Sequence, residues 1–261
     1  MKHGLLMSLI AASLIPVLSG CVTESTYTGT DIKVAERKFN PVSAARERTQ
    51  LGLTYLQRGN SEQAKFNLDK AMKYAPELGE VHIAMAYYYQ TVGDIRMAEK
   101  SYVNAIEFDD MTGDAKNNFG VFLCQQGRFD QAEKMFLQAI EVPGYTQSAS
   151  SYENLGLCAR DAGKLDAAVE YFTIALKYDP RRRASWNELI GTTLSQQDFA
   201  TARTIMNRYN RVIPQSPQSL ALEIEIERGL KNASAVKRLG ITLLAKYPTS
   251  PQAKQYRASM H

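Results

Sequence analysis

The feature that most constrains the fold of this chain is a pattern of prolines and small residues that recurs every 34 residues. Pro180, Pro214 and Pro248 are spaced 34 residues apart. A fixed period of this length indicates an array of short supersecondary units that stack side by side. The alanines follow the same period with one slip of two residues, which an insertion near residues 144–147 explains: Ala64, Ala98, Ala132, Ala168 and Ala202.

Units starting near residues 45, 79, 113, 149, 183 and 217 place equivalent residue types at the same position, or slot, counted from the start of each unit. Apolar residues three and four apart build one stripe on each of two helices, and Gly or Ala allows those helices to approach closely. The sixth unit has Glu223 and Gly240 where large apolar residues belong, as expected of a capping unit. Unit 4 shows the pattern clearly: Tyr152, Leu155, Gly156, Ala168, Phe172, Ala175 and Pro180.

These slots resemble the tetratricopeptide repeat (TPR). The resemblance predicts an all-α fold, a right-handed superhelix of six helix-turn-helix repeats over residues 45–261 with a concave and a convex face. The turn between the two helices of a unit carries glycine, which can adopt the positive φ angle that ends a helix. These glycines are Gly59, Gly93, Gly127 and Gly163.

The amino-terminal end has the organisation of an export leader. Lys2 precedes an apolar stretch that is too short to span a bilayer as an anchor, and small residues lead directly to Cys21. This arrangement resembles the lipobox of bacterial lipoproteins, which implies that residues 1–20 are a signal peptide and that Cys21 is lipidated. An ordinary cleaved leader with an incidental cysteine is the alternative. Val22, instead of aspartate, implies the outer membrane, facing the periplasm. Residues 21–44 are predicted to be the lipidated cysteine and a tether.

Composition excludes several function classes. The formal net charge of +4 is too small to imply nucleic-acid binding. The three cysteines lack metal-ligand spacing, and only His82 and His261 lie outside the leader, so no metal site is expected. His82 occupies a packing slot, and the acidic pair Asp109-Asp110 lies at a unit boundary. We therefore expect no enzyme activity, no small-molecule substrate, and no cofactor beyond the covalent lipid on Cys21.

Two features leave alternatives open. Cys124 and Cys158 lie on the first helices of neighbouring units, where they could form a disulfide or remain two buried thiols. Arg181, Arg182 and Arg183 follow Pro180 and could attract an acidic partner or lipid headgroups, or form a solvated corner.

In tetratricopeptide stacks the first helices line the concave groove, and slots 2, 5, 9 and 12 are exposed there. Tyr87, Val121 and Leu157 share one slot in consecutive units and predict an apolar strip that could hold a peptide. Packing between neighbouring units is the alternative. Thr49 and Leu53 replace the residues by which some stacks clamp a terminal carboxylate. The predicted groove residues are Ile83, Tyr87, Gln90, Asn117, Val121, Glu153, Leu157 and Arg160.

The combination of lipobox, tether and six units resembles the type IV pilus biogenesis and stability lipoproteins. The most specific stretches are Asn-Asn-Phe-Gly-Val-Phe-Leu-Cys at residues 117–124 and the segment 152–158. The resemblance implies a pilotin that binds pilus secretin subunits and promotes their outer-membrane targeting and multimerisation. A TPR adaptor lipoprotein that scaffolds peptidoglycan-modifying enzymes is the alternative. A catalytic subunit acting on cell-wall glycan would need paired carboxylates that the sequence does not place.

Overall fold

The computed structural model of the chain describes residues 39–108 and 112–260. The predicted signal peptide, the predicted lipidation site at Cys21, most of the predicted tether, the acidic pair at 109–110 and His261 lie outside the described residues. No helix in the described ranges is both long and apolar enough to cross a membrane.

Thirteen α-helices make up the described part of the chain, with no strand among them. Twelve form six antiparallel pairs, one pair for each predicted unit, and the thirteenth follows the last pair. The helices are α1 Pro41–Gln57, α2 Ser61–Tyr74, α3 Gly79–Thr91, α4 Ile95–Phe108, α5 Thr112–Gln125, α6 Phe129–Ile140, α7 Ser148–Asp161, α8 Leu165–Tyr178, α9 Arg183–Ser195, α10 Phe199–Val212, α11 Pro217–Gly229, α12 Ala233–Lys246 and α13 Pro251–Ala258.

The pairs stack as a superhelix, which confirms the predicted TPR fold. Each first helix contacts the first helix of the next unit, and each second helix of units 1 to 5 packs mainly between the first helices of its own unit and of the next unit. The first helices α1, α3, α5, α7, α9 and α11 therefore form one face of the stack, and the second helices form the other.

The first helix begins earlier than the predicted domain start at residue 45. The Asn40 side chain accepts a hydrogen bond from the Ser43 backbone N–H at 3.0 Å, and Pro41 occupies the first helical turn. An asparagine cap followed by proline is a strong helix start. The segment before the folded body accordingly ends at Asn40 and does not extend to residue 44.

Close packing of glycine against a large side chain holds the two helices of a unit together. A Cβ added at Gly156 would lie 2.6 Å from Phe172, and one added at Gly120 would lie 2.8 Å from Phe136. Both phenylalanines are fully buried. Unit 6 reverses this arrangement, because the first helix carries the large Ile224 and the second carries Gly240.

The thirteenth helix accounts for the departure of the sixth unit from the pattern. Ser250 caps α13 by accepting a hydrogen bond from the Ala253 N–H at 3.1 Å, and Pro251 follows the cap. Tyr256 of this helix packs directly over Gly240. Gly240 is therefore the contact point for a terminal helix, which the repeat pattern alone did not predict.

The turn inside each unit adopts the left-handed conformation at slot 15 in all six units. Glycine occupies the slot in units 1 to 4, with φ between 71° and 81°. Gln197 and Lys231 occupy it in units 5 and 6, with φ of 60° and 56°. The predicted glycine turns are confirmed in units 1 to 4. Units 5 and 6 adopt the same turn with residues other than glycine, for which the left-handed conformation is energetically unfavourable.

Candidate partner-binding site

The first helices of units 1 to 3 share a cleft of about 610 Å³, which we call the N-terminal cleft. It lies on the face where the sequence predicts partner binding. Ile83 is the one member of the predicted groove set that lines it. The lining residues are Arg46, Glu47, Thr49, Gln50, Leu53, Glu80, Ile83, Asp114 and Asn118.

The N-terminal cleft is acidic with a small apolar patch. Its three carboxylates, on Glu47, Glu80 and Asp114, outnumber its single guanidinium. Arg46 is engaged, because its Nε donates to Glu80 at 3.0 Å. Leu53 and Ile83 are half-buried and supply the apolar patch. This combination is complementary to a segment that carries basic and apolar side chains.

Beyond the cleft, Tyr87 is the best-presented side chain of the predicted strip, with 46% of its surface exposed. Its neighbour Gln90 is occupied, since it accepts a hydrogen bond from the Tyr102 hydroxyl at 3.1 Å and its amide donates to Gln125 of the next unit. Burial raises the pKa of Tyr102 to about 12, so the hydroxyl remains a hydrogen-bond donor even well above neutral pH.

Val121 and Leu157 are half-buried, and each packs against a different cluster of the hydrophobic core. Val121 contacts the cluster around Phe122 and Phe136, and Leu157 contacts the cluster around Phe172 and Trp186. The apolar strip is therefore uneven, because Tyr87 is largely exposed while the next two slots also serve as packing between units.

Asn117 is fixed by the neighbouring unit. Its side-chain oxygen accepts hydrogen bonds from the Ser151 hydroxyl at 2.9 Å and from the Asn154 amide at 3.2 Å. The Tyr145 hydroxyl lies 2.9 Å from the same Ser151 hydroxyl. Asn117 thus links α5 to α7, and this linkage explains the asparagine within the stretch at 117–124.

Glu153, predicted as an exposed groove residue, is instead buried. Its carboxylate accepts hydrogen bonds from Arg182 at 2.8 and 3.0 Å and from the Ser185 hydroxyl at 2.5 Å. A buried carboxylate requires such partners, and the turn before α9 delivers Arg182 to it. Arg182 is therefore a structural residue and not part of a solvated corner. Arg160 stays at the groove edge, paired with Glu188 and with Asp161.

A disulfide joins Cys124 to Cys158, with their Cα atoms 5.8 Å apart. This separation lies within the ordinary range for a disulfide. The bridge connects α5 to α7 and so links units 3 and 4. Of the two alternatives that the sequence left open, the structure has the bridge.

The remaining candidates for chemistry have packing roles. His82 is buried, its Nε2 lies 2.7 Å from the Pro76 carbonyl oxygen, and its ring stacks on Phe108. Trp186 occupies the same slot three units later and donates its indole N–H to the Pro180 carbonyl at 2.9 Å. Among the described residues, no three His, Cys, Asp or Glu side chains group as a metal site would require.

Comparison with known proteins identifies the repeat. The family described as tetratricopeptide repeat matches residues 48–78, 111–181 and 153–219. A Haemophilus influenzae protein of uncharacterised function is 36% identical over 181 residues, which are 69% of this chain and 96% of that protein. The chain belongs to the tetratricopeptide-repeat family.

Two further proteins are similar to this chain over most of their length. The type IV pilus assembly protein PilF of Pseudomonas aeruginosa is 29% identical over 248 residues, covering 92% of this chain and 94% of that protein. The solved structure of P. aeruginosa PilF superposes with a TM-score of 0.64 and covers 84% of this chain and 99% of that one. PilW, a type IV pilus biogenesis factor, shares the fold at 24% identity, with a TM-score of 0.66 over 81% of this chain and 97% of that one.

The sequence reasoning missed part of this site. Arg46, Gln50 and Asn118 line the N-terminal cleft but belong to unit 1 or to slots that were not assigned to the groove. The signal that points to them is the series of charged and amide side chains on α1, α3 and α5, the first helices of units 1 to 3. Glu153 could not be excluded in that way, because its partner Arg182 comes from a turn 29 residues later.

Proposed function

We propose that this protein acts in type IV pilus assembly, as an outer-membrane lipoprotein that binds pilus secretin subunits and promotes their targeting and multimerisation. The observation that carries the proposal is the similarity to PilF over 92% of this chain and 94% of that protein. Similarity limited to one or two repeats would indicate only a shared binding scaffold. Coverage of nearly both full lengths favours a shared role.

The N-terminal cleft is the proposed contact for the secretin. Its acidic and apolar lining suits a segment with basic and apolar side chains, and Tyr87 extends the surface as an exposed aromatic anchor. Aromatic residues supply a large share of the binding energy at such interfaces. The protein would work by holding this segment and not by catalysis.

A rigid groove supports this role. The disulfide Cys124–Cys158 and the bonds that Asn117 and Glu153 make to the next unit fix α5, α7 and α9, the first helices of units 3 to 5, relative to one another. A surface held in its binding conformation loses less entropy when the partner docks. The lipid on Cys21 would supply the location, by holding the groove at the outer membrane where the secretin assembles.

The first test is a deletion strain, in which the secretin is followed on a denaturing gel for its heat-resistant multimer beside a complemented strain. Loss of the multimer with monomer remaining supports the proposal. An intact multimer would contradict it and would make the adaptor of peptidoglycan-modifying enzymes the working hypothesis.

A second test addresses the groove itself. Tyr87→Ala should reduce multimer formation, whereas Phe66→Ala, which removes an exposed ring on the second-helix face, should not. Equal protein levels of the two variants on immunoblots exclude a folding defect. Equal loss of the multimer in both would show that the groove is not the secretin contact.

A further inference from the structure

A basic pocket of about 440 Å³ opens on the second-helix face, remote in sequence from the N-terminal cleft. Helices α8 and α10 form its walls, and side chains of α8 and α9 form its floor. We call it the α8–α10 pocket. The residues that matter are Leu176, Trp186 and Leu189 at the floor and Lys177, Arg208 and Arg211 around it.

The pocket coincides with a position at which units 2 and 4 carry a stacked aromatic ring and unit 5 does not. In unit 2 the slot-30 side chain Phe108 stacks on the slot-4 side chain His82, with ring centroids 5.2 Å apart. In unit 4 Tyr178 stacks on Tyr152 in the same two slots, at 5.6 Å. Unit 5 keeps an aromatic residue at slot 4, Trp186, but has the small Val212 at slot 30, and both line the pocket. The vacancy is therefore the space in which two other units place a ring.

The charge around this space is entirely positive. Helix α10 carries Arg203, Arg208 and Arg211 and no acidic residue. Arg203 is paired with Glu227, whereas no ion pair joins Lys177, Arg208 or Arg211 to a carboxylate among the described residues. The Arg208 guanidinium lies over the Trp186 ring, 5.7 Å from its centroid, which holds the charge at the pocket.

We propose that the α8–α10 pocket is a second docking site, for an acidic segment of a partner protein that inserts an aromatic side chain beside Trp186. The inserted ring would take the place that Tyr178 occupies over Tyr152 in unit 4. Carboxylates on either side of the ring would pair with Lys177, Arg208 and Arg211. Unpaired cations around an apolar floor provide both the charge and the shape complementarity that such a segment needs.

The concave shape favours a protein segment over a membrane surface. Binding to anionic lipid requires basic and apolar groups that protrude into the headgroup layer. Here the apolar groups are recessed, since Leu176, Trp186 and Leu189 are each less than a tenth exposed. A single side chain can reach them, and a flat lipid surface cannot.

The chain offers a direct reporter, because Trp186 is its only tryptophan. We would titrate the purified full chain with the capped peptide Gly-Glu-Asp-Phe-Asp-Glu-Gly and follow Trp186 fluorescence and its indole N–H resonance. We expect a saturable change that weakens as salt is added. The peptide with Ala in place of Phe, and the peptide with amides in place of the carboxylates, should each bind at least about tenfold more weakly.

Substitutions at the pocket and away from it distinguish binding at the pocket from nonspecific electrostatic attraction. Arg208→Gln with Arg211→Gln should weaken binding about tenfold, whereas Lys73→Gln with Lys134→Gln, the same charge loss on other second helices, should leave it unchanged. Val212→Tyr should fill the vacancy as Tyr178 does and block the peptide, without lowering the unfolding midpoint.

Three results would overturn the proposal. One is peptide binding that is indifferent to the Arg208 and Arg211 changes, and another is equal binding of the peptide without its ring. The third is no response of Trp186 to the peptide together with Arg-dependent binding to phosphatidylglycerol vesicles, which would make the patch a lipid contact. If Val212→Tyr fails to fold, the arginine variants and the paired peptides still decide the question.

Discussion

The packing of glycine against phenylalanine predicts that Gly156→Ala destabilises the protein although alanine is the better helix former. An added Cβ would lie 2.6, 2.7 and 3.0 Å from the Cε1, Cδ1 and Cζ atoms of Phe172. Carbon atoms prefer a separation of about 3.5 Å or more, so the closest approach is short by about 1 Å. Phe172 is completely buried, so its ring cannot swing into solvent to relieve the clash.

The magnitude follows from two opposing effects. Replacing glycine with alanine inside a helix stabilises by about 1 kcal/mol through backbone entropy. Overpacking a close-packed core costs about 1–3 kcal/mol. The net expectation for Gly156→Ala is a loss of about 0–2 kcal/mol in the free energy of unfolding.

Gly191→Ala is the matched control. Gly191 lies inside α9, the equivalent first helix of the next unit, and an added Cβ there would have no neighbour within 4 Å. It should show only the helical gain of about 1 kcal/mol. The difference between the two variants therefore isolates the overpacking term.

Urea unfolding of the oxidised protein, followed by circular dichroism, measures both free energies. The double variant Gly156→Ala with Phe172→Leu should recover the loss caused by the new methyl group, with a coupling of about 1 kcal/mol or more, because the two side chains share one space. Gly156→Ala that stabilises as much as Gly191→Ala would refute this account of how the helices of a unit pack.

Three further predictions rest on the same structure, and a fourth rests on the leader sequence. Lys231→Gly should stabilise by about 0.5–1 kcal/mol because it removes left-handed strain, whereas Gly163→Ala should cost about 1 kcal/mol, and thermal unfolding of both checks the pair. Cys124→Ser with Cys158→Ser should lower stability by about 3–4 kcal/mol, and reductant should then have no further effect on the melting temperature. Glu153→Gln should cost about 1–3 kcal/mol in urea unfolding because Arg182 loses its buried charge partner, while Asp130→Asn, in an exposed pair, should leave the transition in place. Cys21→Ala should leave the protein soluble in the periplasm on envelope fractionation, and an unchanged membrane fraction would contradict the lipid anchor.

The fold was predictable because each weak local pattern recurs at the same slot in several units. The slots of Gly52, Gly120 and Gly156 show the same small residue opposite a large one, and three aligned copies indicate a contact that one copy could not. The turn at slot 15 is equally clear where it is glycine. At Gln197 and Lys231 the same backbone conformation is imposed by the packed helices on either side, which local sequence does not reveal.

The site was less predictable because side chains in a stack bind across units as well as outward. Slot 5 carries Thr49, Ile83, Asn117 and Glu153 in units 1 to 4, and the pattern treats these positions as equivalent. Their surroundings differ. Ile83 lines the N-terminal cleft, whereas the Asn117 and Glu153 side chains accept hydrogen bonds from residues later in the chain. Exposure at a slot therefore depends on residues about one repeat away.

The same dependence explains where binding surfaces arise in such a stack. A unit that satisfies its own slots, as unit 4 does by stacking Tyr178 on Tyr152, fills with its own ring the space that is open in unit 5. Unit 5 keeps Trp186 but has Val212 where unit 4 has Tyr178, and the cations that line the space form no ion pair with a carboxylate in the described part of the chain. In a repeat protein a departure from the consensus is thus informative in two ways. Gly240 departs and is compensated by Tyr256 of the same chain, whereas Val212 departs and leaves a pocket lined by basic side chains, which is why we assign the α8–α10 pocket to a partner.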